Sequence, residues 1–149
     1  MAEAWAPTLA DVGQKIPTRT RDTRTPGSDS LLGTFTSSTT PSDAQAQDAI
    51  DAAVSWVVGE AGELPVSPPA SDQIQVQART AAAYRAASDI EIAYPARDAD
   101  IRTAMMLDAR AKDALASLKR ALSIAGSGAA DVYPAWAMPD PPLWADLNL

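Results

Sequence analysis

The sequence predicts an all-α protein: a small helical bundle of one short N-terminal helix and three longer helices, with a long N-terminal loop and an extended C-terminal arm. Three observations lead there. Apolar residues recur at helical spacing in three separate stretches. Alanine, the strongest helix former, supplies 32 of the 149 residues. Alternating β-branched runs that would mark strands are almost absent. A chain of this length supports one domain, and the boundaries fall at 1–126 for the helical domain, with its loop at 17–40, and 127–149 for the arm. The core is expected to be thin. Leu, Ile, Val and Phe together number 26, below the roughly 20% of residues that separates most folded chains from disordered ones. Each buried alanine methyl adds only about 0.8 kcal/mol, so association is expected to add stability.

The first helix reads from "PTLADVGQKIP". Thr8 caps it, Asp11 stands three residues on in the capping-box position, and Pro17 follows Ile16 as a stop. Trp5, just ahead of the cap, can staple onto Val12 or onto a neighbouring molecule. Residues 17–40 then have the composition of a long exposed loop, rich in Ser, Thr, Gly, Pro and Asp. Its arginines, Arg19, Arg21 and Arg24, alternate with threonines and read as a solvated face rather than a phosphate site. Leu31, Leu32 and Phe35 form one apolar knot, either a plug on the protein's own core or a contact with another subunit.

The first long helix opens at "TPSD", with Thr40 as cap, Pro41 in the first turn and Asp43 closing the box. Ala46, Ile50, Ala53, Val54, Val57 and Val58 give its apolar stripe until Gly59 and Gly62 end it. Trp56 lies off the stripe's centre, at the rim of the core or in a subunit interface. Prolines 65, 68 and 69 break the chain. A second long helix runs from about Ser71 to Tyr94, apolar on two sides and lined with alanine, the pattern of a central helix approached from both flanks. The third runs from about Asp98 to Ala125. Its stripe is Ile101, Ala104, Met105, Ala111, Leu115, Leu118, Leu122 and Ala125, with Asp98–Arg102 and Asp108–Lys112 as i,i+4 pairs and Lys119 and Arg120 placed to suit the helix dipole. The arm, "VYPAWAMPDPPLWADLNL", holds four prolines, two tryptophans and a tyrosine. Tryptophan dominates interface hot spots, and a proline-stiffened segment loses little entropy on docking. The favoured reading is therefore an arm that docks on another chain, against the alternative that it folds back on its own bundle.

Chemistry is harder to find. The chain has no cysteine and no histidine, which removes disulfides, thiolate nucleophiles, the usual zinc sites and the commonest proton shuttle. Asp98 and Asp100 have a spacing that can hold a hard cation, yet a helix start explains both. Neither "GSG" at 126–128 nor "PGSDS" at 26–30 has the Lys-Ser/Thr ending of a phosphate loop. No enzymatic activity, cofactor or metal is expected. No apolar run approaches a membrane span and no signal-peptide layout opens the chain, so a soluble protein is expected. A net charge of −7 argues against phosphate-directed nucleic-acid binding. The charge is uneven: acidic over 40–63, weakly basic over 97–125. Opposed faces of this kind would let copies attract one another.

The stretch "WAPTLADVG", followed by "IPTRTRD" and by "LGTFTSSTTPSDAQ" leading into an alanine-rich helix, resembles the head-to-tail adaptor proteins of tailed phages of actinobacteria. The resemblance is fairly specific over residues 5–54. Afterwards it rests on the helical layout, on Tyr94-Pro95 at a helix end and on the proline-aromatic C-terminus; "LPVSPPASD" and the basic "RTRDTRT" depart from the pattern. Nine arginines against three lysines, with so much alanine, fit a GC-rich genome. The resemblance implies a structural virion protein, assembled in the host cytoplasm, twelve copies of which form a homo-oligomeric ring between the portal protein and the stopper. Double-stranded DNA passes through such a ring without sequence-specific binding. On this reading Tyr133, Trp136, Leu143, Trp144 and Leu147 of the arm anchor on the portal. Trp5, Leu32, Phe35 and Trp56 are the candidates for the contact between subunits, and Asp48 and Asp51 the candidates for a channel-facing acidic surface. The other reading open to the sequence is a soluble cellular helical module whose arm docks on a partner protein.

Overall fold

A computed structural model describes residues 3–64, 70–95 and 98–126. Four α-helices follow one another: α1 (Leu9–Gly13), α2 (Asp43–Ala61), α3 (Ala70–Ala93) and α4 (Asp98–Gly126), with a 3-10 turn at Pro17–Thr20. No strand forms among the described residues, whose only β-pairing is an isolated antiparallel bridge between Arg21 and Leu31. The protein is thus the all-α bundle that its periodicity predicts. The arm at 127–149, with Tyr133, Trp136, Leu143, Trp144 and Leu147, lies outside the described residues.

α1 starts where the sequence places it. The Thr8 N–H donates to Asp11 Oδ2 at 2.8 Å, and the Asp11 N–H donates back to Thr8 Oγ1 at 3.2 Å. This reciprocal box satisfies two amides that the helix cannot. α2 starts two residues later than expected. Its cap is Ser42, not Thr40, and its box partner is Gln45, whose Oε1 accepts the Ser42 N–H at 3.0 Å. Pro41 is spent differently, fully buried as part of the core ahead of the helix, and Thr39 Oγ1 donates to its carbonyl. Gly59 stays helical. The turn that ends α2 belongs to Gly62, whose φ of 81° only glycine adopts freely and whose N–H reaches back to the Val58 carbonyl.

α3 packs between α2 and α4, as its two apolar sides lead one to expect. Ala81, Ala82, Ala83, Ala86 and Ala87 are all buried. Their small side chains let both neighbours come close, near enough for Ser88 Oγ to donate to the Ala104 carbonyl across the α3–α4 contact at 2.9 Å. On α4, Ala104, Leu107, Ala111, Leu115 and Leu118 carry the core. The predicted stripe is wrong at Ile101 and Met105, which are 52% and 69% exposed, and at Ala125, also exposed. At about 100° per residue, positions 101 and 105 fall to one side of the line through 104, 107, 111 and 118, so the helix turns them away from α3.

The segment 17–40 is a folded cap rather than an open loop. Leu32 donates its N–H to the Thr20 carbonyl at 2.9 Å, Asp22 to Ser30 at 3.2 Å and Thr23 to Ser38 at 2.8 Å. Phe35 and Thr20 are buried beneath it. Gly13 is where α1 meets this cap: a Cβ there would stand 3.0 Å from the Gly33 carbonyl oxygen and 3.0 Å from Thr20 Cγ2.

Candidate interaction surfaces

The charged side chains in the interior are paired with one another. Arg19 is the clearest case. Its guanidinium donates to Glu91 Oε2 at 2.6 Å and to Asp100 Oδ2 at 2.9 Å, tying the N-terminal cap to the end of α3 and the start of α4. The Arg19 and Glu91 side chains are 11% and 4% exposed. The solvated arginine face expected for this loop is therefore corrected at Arg19; Arg21, paired with an exposed Asp29, fits it. Asp100, a candidate for cation binding in the sequence, accepts from Arg19. The one sequence signal for this clamp was Glu91 in "DIEIAY", an acid one turn after Ala87 on the alanine-lined side of the helix, where an unpaired carboxylate would not be tolerated.

A second network joins α2, α3 and α4. Arg85 donates to Asp89 at 3.2 Å and to Asp108 at 2.8 Å, and its guanidinium lies 5.3 Å from the centre of the Trp56 ring. Lys112 completes the expected i,i+4 pair with Asp108 at 2.6 Å. The Lys112 hydrogen bond holds the Asp108 carboxyl below its usual range, whereas burial pushes that of Asp89 up. Every short contact here joins opposite charges. Among the described residues no three acidic side chains come together as a metal site.

The aromatic candidates divide. Trp5 and Phe35, offered by the sequence to a neighbouring subunit, are 3% and 2% exposed and belong to the protein's own core. That corrects both assignments, because a side chain already enclosed by its own fold presents almost no surface to another molecule. Trp56 is half-buried at the rim of the core, under Arg85. Leu32, with Leu31, is exposed on the cap. Asp48 and Asp51 stand exposed on the outer side of α2, away from Ala46, Ile50, Ala53 and Val57, and Asp51 accepts from Gln47 at 2.9 Å. Beside Asp51 a trough of about 700 Å³ runs between α2 and the N-terminal segment, floored by Val54, Val58 and Ala6 and lipped by Glu3.

A second groove, of about 540 Å³, lies between the first turns of α3 and the last turns of α4. Ile74, Ala121, Ile124 and Ala125 give it apolar walls, and Gln73, Gln77, Ser117 and Arg120 its polar lining. Gln77 Oε1 is buried without a hydrogen-bond donor among the described residues. Sequence reasoning missed this groove because its walls are 40 or more residues apart in the chain. No described helix is long and apolar enough to cross a membrane. Compared with protein-family models, with curated proteins and with solved structures, the chain matches none.

Proposed function

We propose that the protein is a structural connector of a tailed-phage virion, a head-to-tail adaptor whose copies form a ring between portal and stopper and leave a channel for double-stranded DNA. The observation that carries this reading is how the resembling segment is used. In residues 5–54, Trp5, Val12, Ile16, Thr20, Phe35 and Ile50 are all buried, so the resemblance rests in part on residues that shape the fold and not on surface loops alone. Two further features support it. The interior charges are spent on each other, which fits a structural part better than an enzyme. Near the turn between α3 and α4, Ile92, Ile101, Met105 and Met106 are each more than half exposed, apolar area that a neighbouring subunit would cover.

The arm then supplies the portal contact through Tyr133, Trp136, Leu143, Trp144 and Leu147, and Asp48 and Asp51 face the channel. The test is the mass of the complex that the full chain forms with the portal protein of the same virus. A ring of many copies on the portal is expected, lost when residues 132–149 are deleted while far-ultraviolet dichroism stays unchanged. A chain that remains monomeric with the portal present, or that binds it equally well without the arm, overturns the reading.

A further inference from the structure

We propose that the outer face of α4 is a docking surface for a second copy of this chain, and that two copies pair through it antiparallel, about a two-fold axis. α4 packs on α3 and α2 through Ala104, Leu107, Ala111, Leu115 and Leu118, so the opposite side of its first half is turned outward. That side carries Arg102, Met106, Ala109 and Asp113, all exposed. Steps of four, three and four residues keep them on one stripe of the helix. Met106 is 59% exposed and Met105 beside it 69%. Two large apolar side chains left open side by side mark a contact, and the flexible thioether adapts to the surface it meets.

Charge decides the occupant. On this half of α4, Asp100 accepts from Arg19, Asp108 is held by Arg85 and Lys112, and the Arg110 guanidinium lies 5.8 Å from the centre of the Tyr84 ring. Arg102 and Asp113 differ from these: neither forms an ion pair among the described residues. They have opposite signs and stand at the two ends of the stripe, about 16 Å apart at helical rise, a separation close to three turns that points both the same way. A second copy laid antiparallel over Met106 and Ala109 sets its Asp113 on Arg102 and its Arg102 on Asp113. One register thus matches both ends, as a two-fold interface requires. Its centre falls between residues 107 and 108, so Met106 of each copy lies across from Ala109 of the other, a large side chain against a small one that lets the helices approach. A parallel copy would set Arg102 against Arg102 and is disfavoured. This inference concerns the free chain and stands whether or not the adaptor reading does. Where that reading holds, the pair covers apolar area that a ring neighbour would take over, so it must open before the ring closes.

The full-length chain without portal provides the test. Sedimentation equilibrium over rising concentration should show monomer and dimer in exchange. Arg102→Asp and Asp113→Arg should each weaken the dimer by about tenfold or more, because each loses two ion pairs and gains two like-charge contacts, while far-ultraviolet dichroism stays unchanged. Mixed in equal amounts, the two variants should pair with one another as tightly as the unaltered chain does with itself, since each then meets the opposite charge at both ends. The double variant Arg102→Asp with Asp113→Arg should likewise pair with itself. A chain still monomeric at about 1 mM overturns the proposal, as does a dimer that either charge variant leaves intact. A dimer weakened by both variants but not recovered in their mixture overturns it too, because Arg102 and Asp113 would then meet other groups of the partner. So does a mass that climbs past the dimer, since a two-fold contact closes at two copies.

Discussion

Arg19 occupies a place where a loop arginine meets two carboxylates from two different helices, and its removal should be felt throughout the fold. Arg19→Ala would leave Glu91, 4% exposed at its side chain, buried beside Asp100 with no cation between them. Breaking a buried pair in this way costs about 3–5 kcal/mol. The expected result is a fall of that size in urea stability, whereas Arg21→Ala, on the exposed pair with Asp29, should change it by less than about 1 kcal/mol. Titration gives a second check at the same scale. The Thr8 amide holds the Asp11 carboxyl below its usual range, and Lys112 does the same for Asp108. For both, the unfolded chain binds a proton at higher pH than the folded one. Their stabilisation is therefore complete above the ordinary carboxylate range, about pH 4, and is lost as pH falls through the lower folded values. Asp89 has the opposite sign: burial raises its pKa, so the folded state takes up that proton first and part of the acid loss is offset. Urea midpoints between about pH 3 and pH 7 should show a shallower acid loss in Asp11→Asn and a steeper one in Asp89→Asn.

At the scale of elements, Gly13 and Gly59 separate helix propensity from packing. Both are helical, so alanine should favour the helix by about 1 kcal/mol at either site. At Gly59 a Cβ meets nothing within 4 Å, and Gly59→Ala should raise the melting temperature. At Gly13 it would press on the Gly33 carbonyl, which is backbone and can move only if the cap moves. Gly13→Ala should therefore destabilise by about 1–3 kcal/mol, the usual cost of overpacking. The same contrast explains what could be read from the sequence. The Thr8–Asp11 box, the three long helices and the central place of α3 depend on neighbours within a turn or on side-chain size, and they were legible. The cap over 17–40 was not, because it is closed by Arg19 reaching Glu91, 72 positions away, by Phe35 entering the core, and by backbone bonds with no repeating pattern. Of the candidate surfaces, exposed Asp48 and Asp51 followed from the α2 stripe. Trp5 and Phe35 were misassigned because composition marks an aromatic residue as important without saying whose core it enters.

For the whole molecule, on the proposed ring reading, the deciding question is where the acidic side of α2 lies. Glu60 on this helix is matched by Lys119 of α4 at 2.8 Å, whereas Asp43, Asp48 and Asp51 are exposed and form no ion pair among the described residues. Repeated around a ring and turned inward, Asp48 and Asp51 would give the channel a negative wall that repels phosphate, strongest at low ionic strength and screened within about 10 Å at 0.1 M salt. Turned toward the next subunit, the same residues would instead attract the basic side of α4 and help to close the ring. The double variant Asp48→Lys with Asp51→Lys distinguishes these arrangements. Channel placement, the arrangement argued above, leaves the mass of the ring on the portal unchanged and slows DNA ejection, with Asp48→Asn and Asp51→Asn together giving a smaller delay because they remove repulsion without adding attraction. Loss of the ring in the lysine variant would place α2 in the subunit contact, and an intact ring with unaltered ejection would remove both residues from the channel.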